Sequence, residues 1–236
     1  YTALLERNVP FVFIDRFVEK LSVPVIATDN EQGGYLAARH LLDCGLRDIF
    51  VLMENNGEAT SLRDRLAGCK RAFKEAGQIF QPENVRISPE AGETAGYTLA
   101  LKILEEKRVL EKTERLAIFA LNDVMARGAY VAIREAGLCI PHDVAVVGFD
   151  DLDAAFFTPP LSTVRQPIVE IGAAAARTLV EMLLPGKTKK ARSVLLQPQI
   201  IVRNSSDLNS DFCIARHILH GDGEKQPPVA LETVSG

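Results

Sequence analysis

The sequence contains no tryptophan, and only four histidines and four cysteines occur among its 236 residues. The histidines form no metal pattern, because His217 and His220 have no third ligand nearby. The cysteines show no CxxC spacing, so we expect reduced and buried thiols. They are Cys44, Cys69, Cys139 and Cys213. These absences argue against a zinc centre and a disulfide-built domain, and no metal or cofactor is predicted.

Long apolar runs and clusters of basic residues are also missing. No apolar run approaches the ~20 residues that a membrane-spanning helix needs, so we expect no membrane partner. The net charge is −4 and the isoelectric point is near 5.7, whereas a module that neutralises many phosphates is basic on one face. The densest basic cluster, Lys187 to Arg192, is typical of a solvated loop. The sequence therefore predicts no nucleic-acid-binding surface, and no helix-turn-helix pattern is visible.

The motifs of common enzyme classes are absent, since the sequence holds no GxSxG, HExxH or GxGxxG. Gly186-Lys187-Thr188 resembles the end of a P-loop, but Glu181 stands where that motif needs glycine, and a helix is predicted before it. No pair of carboxylates is marked out for acid–base catalysis. We therefore expect a protein that is not an enzyme.

Strand-like and helix-like segments alternate along the chain, which predicts an α/β fold with parallel sheets flanked by helices. Asp29-Asn30 is predicted to cap a helix that ends at Gly45, and Ser61 to form a capping box with Asp64. Pro198 places part of the last strand at an edge or a bulge. The predicted strands are 11–15, 25–28, 48–53, 85–88, 116–121, 144–149 and 193–202, with an extended segment at 161–165.

The most informative segment runs from Phe119 to Thr163. One apolar strand ends in Asn122-Asp123, and a second ends in Asp150-Asp151. Two parallel strands thus deliver polar side chains to their carboxyl ends, where open α/β sheets bind ligands. The pattern predicts a small-molecule site at this edge of a sheet.

Together with the following TVRQP (163–167), this segment closely resembles the effector-binding core of LacI/GalR-family transcriptional repressors. The resemblance covers about residues 4 to 206 and rests on several ordered motifs. It implies a two-lobed, periplasmic-binding-protein-like fold in which the chain crosses between the lobes three times.

Carried onto this sequence, the family pattern assigns residues 1–46 and 162–190 to a first lobe that is only partial. It assigns 47–161 and 191–203 to a complete second lobe. The chain opens YTALLERNVPF without an initiator methionine, so we expect it to be truncated at its N-terminus. Residues 204–236 lie largely outside the resemblance and are rich in polar residues, which predicts a disordered tail.

Two arginines of the segment SLRDRLAG are candidate ligand residues. A guanidinium group can hold two hydroxyls or a carboxylate with paired hydrogen bonds, and a ligand could offset the unfavourable dipole at a helix start. Arg65 occupies the place that matches the family's ligand-binding arginine, and Arg63 lies two residues before it. The alternative for both is a surface ion pair with Asp64 or Glu58.

The two strand ends supply further candidates. We expect Asp150 to accept hydrogen bonds from two vicinal hydroxyls, the usual device for sugar specificity. In the resembling family, a ligand-contacting asparagine or aspartate falls at the place of Asn122. Asp123 is interpreted as a plain helix N-cap, and Asp151 as a turn aspartate that bonds its own backbone.

Asp15 and Gln166 are expected to face the same cleft from the first lobe, with loop capping as the alternative role. The aromatic residues nearest to this cleft in the sequence are Phe149, Phe156 and Phe157, which could stack on a sugar. Phe149 ends a buried strand and is more typical of a core residue.

The resemblance implies the effector-binding and dimerisation part of a cytoplasmic transcriptional regulator. Its partners would be a small molecule, such as a sugar or related metabolite, and a second copy of the chain. DNA would be bound only through a headpiece that is missing here. The alternative is a periplasmic sugar-binding protein of an ABC transporter, which has the same architecture.

Overall fold

The structure is a computed structural model that describes residues 1–18, 21–55, 60–108, 115–184 and 192–210. Within these ranges, a helix that could cross a membrane is absent. The α-helices are α1 (Thr2–Glu6), α2 (Asn30–Asp43), α3 (Thr60–Glu75), α4 (Gly92–Arg108), α5 (Asp123–Glu135) and α6 (Ile168–Leu183). The strands are β1 (Phe13–Ile14), β2 (Val25–Thr28), β3 (Asp48–Glu54), β4 (Val85–Ser88), β5 (Leu116–Ala120), β6 (Val144–Asp150), β7 (Ser162–Arg165), β8 (Val194–Leu196) and β9 (Gln199–Ile201).

A six-stranded sheet with the order β4-β3-β5-β6-β7-β9 forms the larger part of the fold. Its strands are parallel except for the antiparallel edge strand β9. Both faces are covered, because α2 and α3 pack on one side and α4 and α5 on the other. Neighbouring residues of β5 alternate between the two cores, with Ile118 on the α4–α5 side and Phe119 on the α2–α3 side. The prediction of a parallel α/β sheet is confirmed.

A second, three-stranded parallel sheet has the order β1-β2-β8. Helix α6 covers it, and its small core consists of Ile26, Ile171, Ala174 and Ala175. Much of the rest of α6 is exposed, including Val169 at 82% and Leu183 at 61%. This sheet therefore has a much smaller core than the six-stranded one.

The chain passes between the two sheets at different positions from those expected. Strand β7 pairs with β6 and β9, although residues 162–190 were assigned to the other lobe. The predicted strand 193–202 is two strands, of which β8 pairs with β2 and β9 with β7. Pro198 stands between them, where its missing N–H interrupts the ladder. Helix α2 also packs on the six-stranded sheet, so the crossings fall at residues 29–30, 166–167 and 197–198.

Several local predictions can be compared with the structure. Asp29 caps α2 by accepting a hydrogen bond from Gln32 N at 2.9 Å, and Gly45 follows the helix with a φ of +83°, as expected. Ser61 is not an N-cap, because α3 already begins at Thr60. The expectation of reduced thiols holds for Cys44 and Cys69 but is wrong for Cys139, which is disulfide-bonded.

The predicted disordered tail begins too early. Ser205 and Ser206 are fully buried, because the Ser205 hydroxyl donates to Val146 O at 2.6 Å and the Ser206 hydroxyl donates to Ser162 Oγ at 2.7 Å. Residues 204–210 are thus part of the larger fold. The remainder of the predicted tail, 211–236, lies outside the described residues.

Two glycine pairs fix how the helices pack. A Cβ added to Gly34 in α2 would lie 1.8 Å from the carbonyl oxygen of Arg65, and one added to Gly68 in α3 would lie 1.8 Å from that of Glu31. Helices α4 and α5 repeat the arrangement, with Gly96 against Met125 and Gly128 against Glu93 at 1.9 Å. Each helix therefore presents bare backbone to its partner, which permits a closer approach than any side chain allows.

We expect Gly34→Ala to lower the free energy of unfolding by about 2–3 kcal/mol, because its methyl group must push α2 away from the α3 backbone. Gly172→Ala is the matched control. It also lies in a helix, α6, but a Cβ there meets nothing within 4 Å, so alanine should stabilise the protein by about 0.5–1 kcal/mol. Urea unfolding at neutral pH measures both changes. Equal effects of the two substitutions would contradict the packing argument.

Candidate functional site

The carboxyl ends of the parallel strands bring polar side chains to one edge of the six-stranded sheet. Glu54 and Asp150 end β3 and β6, while Asn122 and Gln166 follow β5 and β7. The three crossings between the sheets lie together at this edge. The side chain of Thr28, at the end of β2, bonds to Gln166, and that of Gln197 bonds to Asp29. The candidate site lies at this junction of the two sheets.

Arg65 is the centre of the junction and is only 4% exposed. Its Nε donates to Asn30 Oδ1 at 2.8 Å, and its Nη1 donates to the carbonyl oxygen of Leu121. The guanidinium carbon lies 3.6 Å from the centroid of the Phe149 ring, a cation–π contact. Its Nη2 lies 3.6 Å from Asp150 Oδ1. One buried cation thus joins α2, α3 and the ends of β5 and β6.

Burial governs the charges of this pair. It lowers the pKa of Arg65, and the neighbouring carboxylates Asp150 and Asp15 counter that effect. Burial raises the pKa of Asp150, although Arg65 and the hydrogen bond from Gln166 act in the opposite direction. The charged forms of Arg65 and Asp150 therefore depend on each other, because each is poorly solvated and is stabilised by the opposite charge of its partner.

Gln166 links the site to the crossing segments. Its side-chain nitrogen donates to Asp150 Oδ1 at 2.7 Å, and its side-chain oxygen accepts from the Thr28 hydroxyl at 2.6 Å. A second link between crossings runs from Gln197 Nε2 to Asp29 Oδ2 at 3.1 Å. A hydrogen-bonded path therefore leads from the Asp150 carboxylate to the end of β2.

Asp15 approaches the pair from the three-stranded sheet. It follows β1, has a φ of +64°, and its charge acts on both Arg65 and Asp150. One of its carboxylate oxygens, Oδ1, is buried and has no hydrogen-bond partner among the residues that the structure describes. An unpaired buried acceptor is costly, so this oxygen is well suited to receive a donor from a ligand.

Asn122, and not Asp123, is the N-cap of α5, because its Oδ1 accepts from Met125 N at 2.7 Å. The Asn122 side-chain nitrogen donates to Glu54 Oε1 at 2.9 Å. Asp123 is instead buried as the first residue of the helix, where it accepts from Thr163 and from the backbone of Leu152. The interpretation of Asp123 as a plain N-cap is therefore wrong.

Arg63 is not brought to the junction. Its side chain is 61% exposed, and its Nε lies 3.3 Å from Asp64 Oδ1, as the alternative surface ion pair supposed. Two residues correspond to about 200° around a helix, so Arg63 and Arg65 point in nearly opposite directions. Asp151 is also not a simple turn residue, because it pairs with Arg165 and Arg203.

The three aromatic candidates have different surroundings. Phe149 is fully buried with the Arg65 guanidinium over its ring, so this ring serves the core. Phe157 packs edge-to-face against Tyr130 with ring centroids 5.2 Å apart. Phe156 is 86% exposed. No stacking platform at the junction follows from these positions.

Sequence reasoning missed Asn30, Thr28 and Glu54, whose side chains complete the junction. Asn30 follows the capping residue Asp29 and was interpreted only as part of the cap. Thr28 and Glu54 end their strands, as Asp150 does, and this shared position was the signal that could have identified them.

Comparison with known proteins agrees with this architecture. Residues 38–206 match the family model described as "Periplasmic binding protein-like domain". The chain is 33% identical to the HTH-type transcriptional regulator DegA of Bacillus subtilis (strain 168) over 212 residues, which are 88% of this chain and 59% of that protein. The chain thus spans about three fifths of the length of this relative. Such similarity is to regulators and not to enzymes.

Solved structures give the same result. A regulatory protein of the LacI family from Chloroflexus aggregans superposes with a TM-score of 0.75 at 32% identity, covering 86% of this chain and 71% of that one. A LacI-family transcriptional regulator from Enterococcus faecium with bound ribose superposes with a TM-score of 0.73 at 26% identity, covering 86% and 72%. The predicted periplasmic-binding-protein-like fold and the predicted family are both confirmed.

We expect Arg65→Met to lower the free energy of unfolding at neutral pH by about 3–5 kcal/mol, because it leaves the Asp150 carboxylate buried without its cation. Without Arg65 the pKa of Asp150 rises further. The folded protein then takes up a proton, and stability falls as pH rises through that pKa. The difference in the free energy of unfolding between Arg65→Met and the unaltered chain should therefore become smaller as the pH is lowered from 8 to 5. Urea unfolding at each pH measures this difference.

Two further variants test this explanation. Adding Asp150→Asn to Arg65→Met should recover part of the loss at pH 8, because the uncompensated charge is gone. Arg39→Met removes an exposed arginine whose Nη2 lies 2.7 Å from Asp43 Oδ1, and it should leave stability nearly unchanged because a solvent-exposed ion pair contributes little. A deficit for Arg65→Met that is independent of pH would show that lost packing, not charge, explains the effect.

Proposed function

The chain belongs to the periplasmic binding protein-like family and resembles the LacI-family regulators within it. On this basis we propose that it senses a small-molecule effector for a DNA-binding transcriptional regulator. The observation that carries the proposal is the buried Arg65–Asp150 pair at the junction of the two sheets. A buried ion pair with hydrogen-bonding neighbours at the carboxyl ends of parallel strands is suited to recognise a polar ligand.

The proposed ligand contacts come from both sheets. Asp150 uses Oδ1 for Arg65 and Gln166, so its Oδ2 is the oxygen that we expect to accept from a ligand hydroxyl. Asp15 would accept through its unpaired Oδ1 from the opposite side. Asn122 would contribute from the end of β5. These donors and acceptors favour a sugar or a related hydroxylated metabolite, and Arg63 remains a candidate on sequence grounds alone.

The proposed output is a change in how the two lobes are related. A ligand that contacts Asp150 and Asp15 together binds best to one arrangement of the sheets, and it shifts the population toward that arrangement. The bonds of Gln166 to Asp150 and Thr28 lie at the crossing itself, so they would respond to the ligand directly. DNA contact would be made by another part of the regulator, since this chain has a net charge of −4.

We further propose that the regulator is a homodimer. Exposed apolar residues on and after α5 support this, because Val124 and Val131 share one face of the helix and are 44% and 37% exposed. Leu152 and Phe156, in the segment after β6, are 54% and 86% exposed. An exposed apolar surface of this kind commonly marks an interface.

One observation favours the alternative, a periplasmic sugar-binding protein. Cys139 is disulfide-bonded, and stable disulfides are rare in the cytosol. The similarity to LacI-family regulators and the sequence TVRQP favour the regulator, which would be cytoplasmic. The genomic sequence upstream of Tyr1 distinguishes the two: a helix-turn-helix segment supports the regulator, and a signal peptide supports the transport protein.

We expect Asp150→Ala and Arg65→Ala each to weaken sugar binding by about 2–4 kcal/mol, or roughly 30- to 1000-fold, because each leaves a charged partner unpaired. Calorimetry with D-ribose comes first, followed by a panel of sugars, nucleosides and sugar phosphates. Lys74→Ala is the control, since Lys74 is an exposed cation on the same helix as Arg65. Arg63→Ala tests the exposed arginine separately.

The result that counts against the site is specific. If a compound of the panel binds and neither Asp150→Ala nor Arg65→Ala weakens it by more than about threefold, the ligand is bound elsewhere. Circular dichroism of each variant at the temperature of the titration establishes that it is folded. If no compound binds the unaltered chain, sugar sensing by this chain is contradicted.

A further inference from the structure

The turn that carries Asp150 has an unusual backbone. Asp150, Asp151 and Asp153 have φ angles of +118°, +61° and +55°. Non-glycine residues in such conformations are energetically unfavourable and persist where the surroundings hold them. The position of the Asp150 carboxylate therefore depends on what ties this turn to the rest of the protein.

Asp123 provides one of the ties. It is 2% exposed, and its Oδ2 accepts from the backbone N–H of Leu152 at 2.9 Å. Its Oδ1 accepts from the Thr163 hydroxyl at 2.6 Å. The carboxylate of Asp123 thus connects the turn after β6 to the neighbouring strand β7.

The strand before the turn is shaped to receive this carboxylate. A Cβ at Gly148 would lie 2.2 Å from Asp123 Oδ1, so a side chain there would displace it. Asp123 consequently contacts Gly148, two residues before Asp150, and accepts a hydrogen bond from Leu152, two residues after Asp150. Asp123 thus contacts the chain on both sides of Asp150, where it can restrict the backbone that carries the Asp150 side chain.

We propose that Asp123 is a positioning residue for Asp150, and that its ionised form holds the turn more firmly, so that effector binding weakens when Asp123 is protonated. This inference rests on the proposed function of Asp150 as an effector contact. The physical reason is that an N–H donor binds an ionised carboxylate about twice as strongly as a neutral acceptor.

The burial of Asp123 brings this change in protonation close to neutral pH. Burial raises the pKa of Asp123 to about 7, and the carboxylates of Asp150 and Asp151 act in the same direction. The hydrogen bonds from Thr163 and Leu152 lower it and partly offset these effects. Among the described residues, Arg65 on α3 and Tyr130 on α5 also interact electrostatically with Asp123.

Affinity and stability should then respond to pH in opposite directions. The folded-state pKa of Asp123 lies above its ordinary value of 3.8, so the Asp123 contribution to stability is largest at low pH and is lost as pH rises toward 7. Effector affinity should instead fall as pH drops below 7. If Asp123 had only a structural role, effector affinity and stability would change with pH in the same direction.

The first experiment needs no ligand. In isotope-labelled protein, the Leu152 backbone amide and the Gln166 side-chain amide, which donates to Asp150, should both shift with a midpoint near pH 7. Asp123→Asn, which keeps the shape without the charge, should abolish this titration of both signals. Asp153→Asn is the control in the same turn and should leave it intact. If the Gln166 signal is insensitive to Asp123, the proposal is overturned.

The second experiment uses D-ribose, or whichever sugar of the panel binds, in calorimetry between pH 6 and 8. We expect the Kd to rise about fivefold from pH 8 to pH 6 in the unaltered chain and to stay constant in Asp123→Asn. Asp123→Ala should weaken binding about tenfold at every pH. Equal affinities for all three proteins contradict the proposal, whereas binding of no sugar contradicts only the proposed function.

Discussion

The burial of the Arg65 guanidinium group is the constraint on which the junction of the two sheets depends. A buried cation needs compensation from every side, because leaving water is costly for a charge. Here the compensation comes from α2 through Asn30, from the backbone after β5, and from the end of β6 through Asp150. These elements are distant in sequence, so the arginine fixes their relative positions at one point.

The same point is where the chain passes from one sheet to the other. Asn30 directly follows the first crossing, and Gln166 at the second crossing bonds to Asp150. In the proposed function, a ligand at Asp150 would therefore act on Gln166, whose backbone lies in the second crossing. Recognition and conformational response would then be separated by one or two hydrogen bonds, without a long pathway through the core.

The sequence was sufficient to predict the order of strands and helices and several members of the junction. Asp150 was predicted because a polar residue after an apolar strand is visible as a local pattern, and Gln166 because it lies in the TVRQP segment of the family resemblance. Which sheet β7 and β8 join could not be predicted, since pairing depends on contacts between residues far apart in the chain. Asn30 was missed for a similar reason, because its partner Arg65 lies 35 positions away. Arg63 was included because it is an arginine near a predicted helix start, although the helical spacing of two residues already places it on the face opposite to Arg65.

The paired glycines of α2 and α3 have a mechanical consequence. Gly34 rests against the carbonyl group of Arg65 itself, and Gly68 rests against that of Glu31, one residue after Asn30. These two backbone contacts oppose sliding of α2 along α3, so we expect the two helices to move as one rigid unit. Helix α2 begins at Asn30, directly after the first crossing, and Asn30 accepts a hydrogen bond from Arg65. In the proposed function, a rotation of the lobes about residues 29–30 would therefore act on Arg65 directly.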